Sequence, residues 1–227
     1  MVQEMMVMRK AKKSDPFWND VVLLLDFEAP VGSTAFTDYK GHVVSSTAPA
    51  TDARKAFGNT SARHTGAGTV VQIENHPDFD LGITDFTIEG WVNWRAGGSF
   101  FGGVFIGRWG QGSNGADFLI QLTNEKKVSW DGAGVYLLST IGVPDSEAMT
   151  HIAVVRWNNV LYIYIDGQSA GSVAMPGRIS YGTRPLRTSR WDDGNSGLLG
   201  DIDELRITKR ALYKAPFQVP DKAFLTS

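Results

Sequence analysis

The sequence predicts an all-β protein built as an antiparallel two-sheet sandwich, and three observations carry that reading. Short runs rich in β-branched and aromatic residues recur about every 8–12 residues with almost no helical periodicity. The 227 residues include 25 glycines, which supply the turns such a chain needs. Hydrophobic residues make up 42% and charged residues 20%, enough for a sizeable core in one domain.

The centre of the pattern is His151–Gly167. Two apolar runs flank Asn158-Asn159, a pair that tolerates the positive φ angles of a two-residue primed turn, and Asp166-Gly167 offers a second such turn into a third strand. Alternation places Ala153, Val155 and Trp157 on one face of the first strand, and Leu161, Ile163 and Ile165 on one face of the second. The opposite faces carry Ile152 and Val154, or Tyr162 and Tyr164, and are apolar too. Such a sheet is covered on both sides or roofed by loops.

Before this meander, Val21–Phe27 reads as a first strand, and the glycines and the Thr/Ser-rich stretch 45–51 read as loops. Short strands are expected between Phe57 and Ile73. Asp85–Trp94 is a strong strand, with Phe86, Ile88, Val92 and Trp94 on one parity and Glu89 and Trp91 on the other. Frequent glycine between Arg95 and Gly115 breaks the runs Phe100–Phe101 and Val104–Ile106. Strands at Asp117–Thr123, Lys127–Trp130 and Val135–Ile141 complete the middle. After the meander comes a long loop over 176–197, then a last strand at Gly200–Thr208. The domain reading is a basic arm over 1–15, a sandwich over 16–213, and an extended tail over 214–227 with Pro216 and Pro220.

Composition excludes several function classes. With no cysteine there is no disulfide framework and no thiolate chemistry. No signal-peptide pattern and no membrane-spanning run is read in the sequence. The net charge is −2, and Arg9, Lys10, Lys12 and Lys13 against Glu4 give the arm +3, leaving −5 for the rest. A net charge of −2 and a pI near 6.1 for the whole chain argue against a nucleic-acid binder, although Arg178, Arg184, Arg187 and Arg190, interleaved with Tyr181 and Trp191, form a basic loop.

Four motifs in order carry a family resemblance: Phe86-Thr-Ile-Glu-Gly-Trp-Val92, His151-Ile-Ala-Val154, Leu161-Tyr-Ile-Tyr-Ile-Asp-Gly167, and Gly200-Asp-Ile-Asp-Glu-Leu-Arg-Ile207 followed by Arg210-Ala-Leu212. Over roughly 17–213 the chain resembles laminin G-like domains of the concanavalin A-like lectin and glucanase superfamily, which implies a two-sheet jelly roll. Val22–Phe27 and Tyr213–Phe217 further resemble the variety found in tailed-bacteriophage structural and tail proteins. Ala62-Arg-His-Thr-Gly66 departs from the Ala-Leu-Phe-Asp-Gly stretch usual there.

Candidate chemistry follows. Asp201, Asp203 and Glu204 are the densest acidic cluster, but strict alternation turns Glu204 away from the two aspartates, so no catalytic carboxylate pair is expected. His42, His64, His76 and His151 lie in separate segments with no paired-His spacing. The chain is therefore expected not to be an enzyme. Asp131, Asp192, Asp193 and Asn195, with Asn114 and Asp117, are hard oxygen ligands suited to a calcium ion, and equally ordinary turn formers. Trp109, Trp130 and Trp191 are candidate stacking platforms for a glycan, whereas Trp91, Trp94 and Trp157 read as core. Met5, Met6 and Met8 ahead of Arg9, Lys10, Lys12 and Lys13 suit docking on an acidic protein surface.

Three functions remain open on this reading. The leading one is a structural protein of a phage-like virion, assembled in the host cytoplasm and attached through its terminal arms to other virion proteins or to copies of itself. The alternatives are a glycan-binding adhesin and a glycoside hydrolase.

Overall fold

The computed structural model describes residues 14–95, 102–108, 118–144, 146–189 and 197–226. Fifteen strands run in chain order: β1 (Val21–Leu25), β2 (Val44–Ser46), β3 (Ala50–Thr51), β4 (Ser61–Thr65), β5 (Val71–Ile73), β6 (Phe86–Trp94), β7 (Gly103–Arg108), β8 (Phe118–Leu122), β9 (Lys127–Gly132), β10 (Val135–Gly142), β11 (Thr150–Trp157), β12 (Val160–Ile165), β13 (Gln168–Ala174), β14 (Leu186–Ser189) and β15 (Leu199–Thr208). The only helical element among the described residues is a single 3-10 turn, Pro77–Phe79.

The strands form two antiparallel sheets, as the sequence predicts. One has the order β13-β12-β11-β6-β15-β4-β3, with β1 also paired to β15, and the other the order β10-β9-β8-β7-β14-β5-β2. Strand β15 organises the first sheet. It runs beside β6 for its whole length, and its other edge is taken by β4 up to Ile202 and by β1 from Leu205 onward.

The predicted turns are present. Asn158 and Asn159 both have positive φ, 50° and 60°, as do Asp166 and Gly167, 47° and 73°. Those values are what a two-residue connection needs to match the twist of its strands. Asp166 also accepts the backbone N–H of His151 at 2.8 Å, tying the second turn to the start of β11.

Between the sheets lies one apolar core. The first sheet sends Ile88, Val92, Ile152, Val154, Leu161, Ile163, Ile202, Leu205 and Ile207 inward, and the second sends Val71, Ile73, Phe105, Ile120, Val128, Trp130 and Leu186. The first sheet is covered on its back as well, in keeping with the sequence, by apolar side chains among which charged ones are buried. Ala153, Val155 and Tyr164 pack there with Tyr213 and Phe217, while Leu24 and Trp91 pack with Trp18, Val219 and Phe224.

That back is roofed by both ends of the described chain, so residues 214–226 are no free tail. Phe217 donates its N–H to the Gly167 carbonyl at 3.0 Å, and Phe224 is buried with its N–H on Glu204 Oε2 at 3.0 Å. The expectation of a C-terminal foothold on a partner is corrected here: these aromatic side chains already pack on the domain's own sheet. On the N-terminal side, Asp15 meets Arg206 at 3.0 Å.

Candidate functional site

The acidic cluster on β15 is structural. Gly90 on β6 leaves room for a bulge: a Cβ there would come within 3.0 Å of the Glu204 carbonyl oxygen, and Glu204 itself has φ of 50°. The register slips by one residue between Asp203 and Arg206, so Asp203 and Glu204 lie together on the back of the sheet while Ile202 and Leu205 face the core. The expectation that Glu204 points away from the aspartates is corrected by this bulge, which strict alternation does not anticipate.

Both carboxyls are engaged by the chain's own backbone. Asp203 Oδ2 accepts the N–H groups of Ala56 and Phe57 at 2.8 and 3.2 Å, Glu204 holds the Phe224 N–H, and both carboxyls are buried. Burial pushes the Asp203 carboxyl up to about 7 and that of Glu204 up to about 8. Asp201 is buried too, against Arg63 Nε at 3.2 Å.

A second buried group joins β6, β11, β15 and the roof. Glu89 Oε1 accepts from Arg206 Nε and Nη2 at 3.0 and 2.6 Å, and Oε2 accepts from the Tyr213 hydroxyl at 2.8 Å and lies 3.2 Å from His151 Nε2. Burial alone raises a carboxyl, yet the Arg206 guanidinium and the hydrogen bonds hold Glu89 down at about 2. The Arg206 guanidinium is itself stacked 3.6 Å from the Phe224 ring. This group locks the roof to the sheet.

The candidate binding face is the outer side of the second sheet. Residues paired directly across strands project to the same side, and one such row runs across all seven strands. It reads Tyr136, Asp131, Leu119, Gly107, Arg187, Gln72 and Ser45, on β10, β9, β8, β7, β14, β5 and β2. At about 4.8 Å per strand the row is about 29 Å long.

Its chemistry is mixed and amphipathic. Tyr136 is 60% exposed and offers an apolar ring with a polar tip. Asp131 beside it supplies a carboxylate whose pKa burial raises. In the middle Leu119 is buried and leans over Gly107, where a Cβ would meet its Cδ1 at 2.8 Å. Beyond it, Arg187 Nε donates to Gln72 Oε1 at 2.9 Å, and Gln72 Nε2 donates to Glu74 Oε1 at 2.9 Å.

The residues expected from sequence to bind ligands scatter across this picture. Trp130 is no platform: it is fully buried, with Phe118 stacked at 5.4 Å and Phe86 at 5.8 Å, and its Nε1 donates to the Gly132 carbonyl. Period two already couples Trp130 to Val128, and both face the core. Asp131, one residue on, faces outward into the row. Trp109, Trp191, Asn114, Asp117, Asp192, Asp193, Asn195 and the arm residues Met5, Met6, Met8, Arg9, Lys10, Lys12 and Lys13 lie outside the described residues. Of the basic loop, Arg178 pairs with Asp80 at 2.7 Å and Arg187 joins the row. Arg190 lies outside the described residues.

Sequence spacing also misses a convergence of histidines. Pairing of β2 with β5, with Val44 opposite Ile73, brings His42 and His76 together at the ends of the two strands, 3.3 Å apart between Nε2 and Nδ1. Asp78 joins them at 3.2 Å from His42.

Comparison with known proteins agrees with this architecture. Residues 65–215 match Laminin_G_3 of the concanavalin A-like lectin/glucanases superfamily, and the chain belongs to that family. Comparison with curated proteins gives no match. The binding domain of Paraclostridial Mosquitocidal Protein 1 superposes with a TM-score of 0.65 at 16% identity, over 87% of this chain and 50% of that one. Botulinum neurotoxin type C, whose cell entry is described as dependent upon interaction with two ganglioside molecules, gives 0.62 at 13% identity, over 86% and 49%. The binding domain of botulinum neurotoxin DC in complex with rat synaptotagmin II gives 0.62 at 10% identity, over 87% and 50%. The chain thus spans about half the length of each neighbour, and at these identities the likeness is one of fold. The family match carries the laminin G-like domain, whereas the tailed-phage variety rests on Val22–Phe27 and Tyr213–Phe217 alone.

Proposed function

We propose that this chain is a non-enzymatic binding module that recognises a surface glycan along the outer face of the seven-stranded sheet. The observation that carries the reading is the cross-strand row itself, with the exposed Tyr136 ring and Asp131 at one end and Arg187 with Gln72 toward the other. A sugar presents apolar C–H faces and a rim of hydroxyls. A tyrosine ring suits the first, and carboxylate, guanidinium and carboxamide groups along a shallow track suit the second. The length of the row suits an oligosaccharide better than a single ring.

Two further points support it. The superfamily includes lectins, and solved structures of similar fold are toxin binding domains, one described with ganglioside molecules. The carboxylates of β15 are all buried beneath or beside the chain's own backbone and cations, which removes them from any substrate. This supports binding without turnover.

A glycan array spanning sialylated, neutral and bacterial polysaccharide ligands tests the reading, followed by a reducing-end assay on every hit. Binding without release of reducing ends is expected. Absence of binding to every glycan at millimolar concentration, or turnover lost in Asp203→Asn, would overturn it.

A further inference from the structure

We infer that His42, His76 and Asp78 form a binding site for a divalent transition-metal ion, Zn²⁺ foremost. The three facing atoms make a nearly equilateral triangle: His42 Nε2 to His76 Nδ1 is 3.3 Å, His42 Nε2 to Asp78 Oδ2 is 3.2 Å, and His76 Nδ1 to Asp78 Oδ2 is 3.3 Å. Tetrahedral zinc has bonds of about 2.0–2.1 Å to nitrogen and oxygen, which places its ligands about 3.3–3.4 Å apart. The donor set, two imidazoles and a carboxylate, is one that zinc takes.

The protonation pattern points the same way. Asp38 is buried, accepts the backbone N–H groups of Leu24 and His42 at 2.9 and 3.1 Å, and lies 2.6 Å from His42 Nδ1. A carboxylate at that distance only accepts, so Nδ1 is the donor to Asp38, and Nε2 is the ring atom that faces the triangle. His76 Nδ1 accepts the Asp78 backbone N–H at 3.3 Å and is therefore unprotonated; its one lone pair would pass from that long hydrogen bond to the ion, and Asp78 Oδ2 is an acceptor by nature. Three atoms that can each offer a lone pair therefore lie 3.2–3.3 Å from one another, the spacing that a shared cation would hold together.

The surroundings are those of a built metal ligand. Asp38 orients His42 from behind, the carboxylate–imidazole–metal arrangement that fixes the ring. Phe79 packs on the His42 ring at a centroid distance of 4.6 Å and holds it in place. The His76 and Asp78 side chains are about half exposed, 50% and 47%, so a fourth position faces solvent and is open to water. The ion would pin the lead into β2 to the turn after β5, at the edge of the second sheet.

The test uses the full chain without a histidine tag. Zn²⁺ is titrated in competition with a chromophoric chelator, and Co²⁺ is added as a spectroscopic substitute. One equivalent of zinc is expected to bind at neutral pH, with intense visible cobalt bands of tetrahedral type and a raised melting temperature. His76→Ala, a half-exposed position, should keep its circular dichroism spectrum, lose the zinc-dependent rise in melting temperature, and bind zinc at least about tenfold more weakly. Asp78→Asn should weaken it similarly. No stoichiometric binding, an affinity unchanged by both substitutions, or the weak cobalt bands of a six-coordinate ion would overturn the proposal. So would finding His42 doubly protonated at neutral pH in the presence of zinc, because a proton would then supply the cation.

Discussion

Arg206 grips Glu89 through two hydrogen bonds of 2.6 and 3.0 Å, with both side chains buried across the β15–β6 pair. Removing one partner leaves the other charge in a medium that cannot solvate it. Glu89→Ala should therefore destabilise the fold by about 3–5 kcal/mol. Urea denaturation monitored by tryptophan fluorescence measures this, and a loss under about 1 kcal/mol would mean that Arg206 finds water or another carboxylate in its place.

Ile163 is fully buried in the core opposite the second sheet. Ile163→Ala removes that packing and leaves a cavity, and about 2–5 kcal/mol of stability should go with it. Chemical denaturation decides the point.

How far the sequence reveals this molecule depends on the range of the signal. The β11–β12 hairpin is legible because alternation and Asn158-Asn159 are local, and the double cover of the first sheet follows from apolar residues on both parities. The parity of Glu204 is not, because the bulge depends on Gly90 of another strand approaching its backbone. Trp130 is misread although its signal is local, since Val128, Ser129 and Trp130 alternate apolar, polar, apolar and that parity already puts the ring on the core side. His42 and His76 meet only once β2 and β5 pair, a contact between residues far apart in the chain that no local spacing encodes. The same holds for the binding row, which exists only in the register of seven strands.

Asp203 and Glu204 give stability a pH dependence whose sign is fixed by burial. Their ordinary values are 3.8 and 4.5, and in the fold they rise to about 7 and about 8. The folded chain thus holds these protons where the unfolded chain has lost them, so stability falls as pH rises toward about 8. His64 works in the opposite sense at lower pH, since burial lowers it from 6.5 to about 4 and its contribution is lost as pH drops below 6.5. Above pH 6.5, of these three only the acids matter. The melting temperature should fall between pH 6.5 and about 8.5, and Glu204→Gln, which keeps an acceptor for the Phe224 N–H, should shrink that fall. A flat or rising profile across this window contradicts the assignment.

Gly167 lies directly under the roof, hydrogen-bonded to Phe217. It has φ of 73°, and a Cβ there would clash with the Phe217 carbonyl oxygen. Gly167→Ala should lift the segment around Phe217, cost about 1–3 kcal/mol, and speed tryptic cleavage at Lys214 and Lys222. Cleavage at the wild-type rate would mean that the roof can shift without detaching.

The central claim, a glycan track on the outer face of the second sheet, is tested most directly by removing its exposed ring. Binding of Tyr136→Ala to the best glycan from the array should be compared with wild type by calorimetry, with Tyr39→Ala as a control, since Tyr39 is also exposed but its hydroxyl is engaged with Asp26 at 2.7 Å. Loss of a stacking ring should weaken binding about tenfold in Tyr136→Ala, and Tyr39→Ala should bind as wild type does. Equal affinity in wild type and Tyr136→Ala, or a loss confined to Tyr39→Ala, would contradict the account.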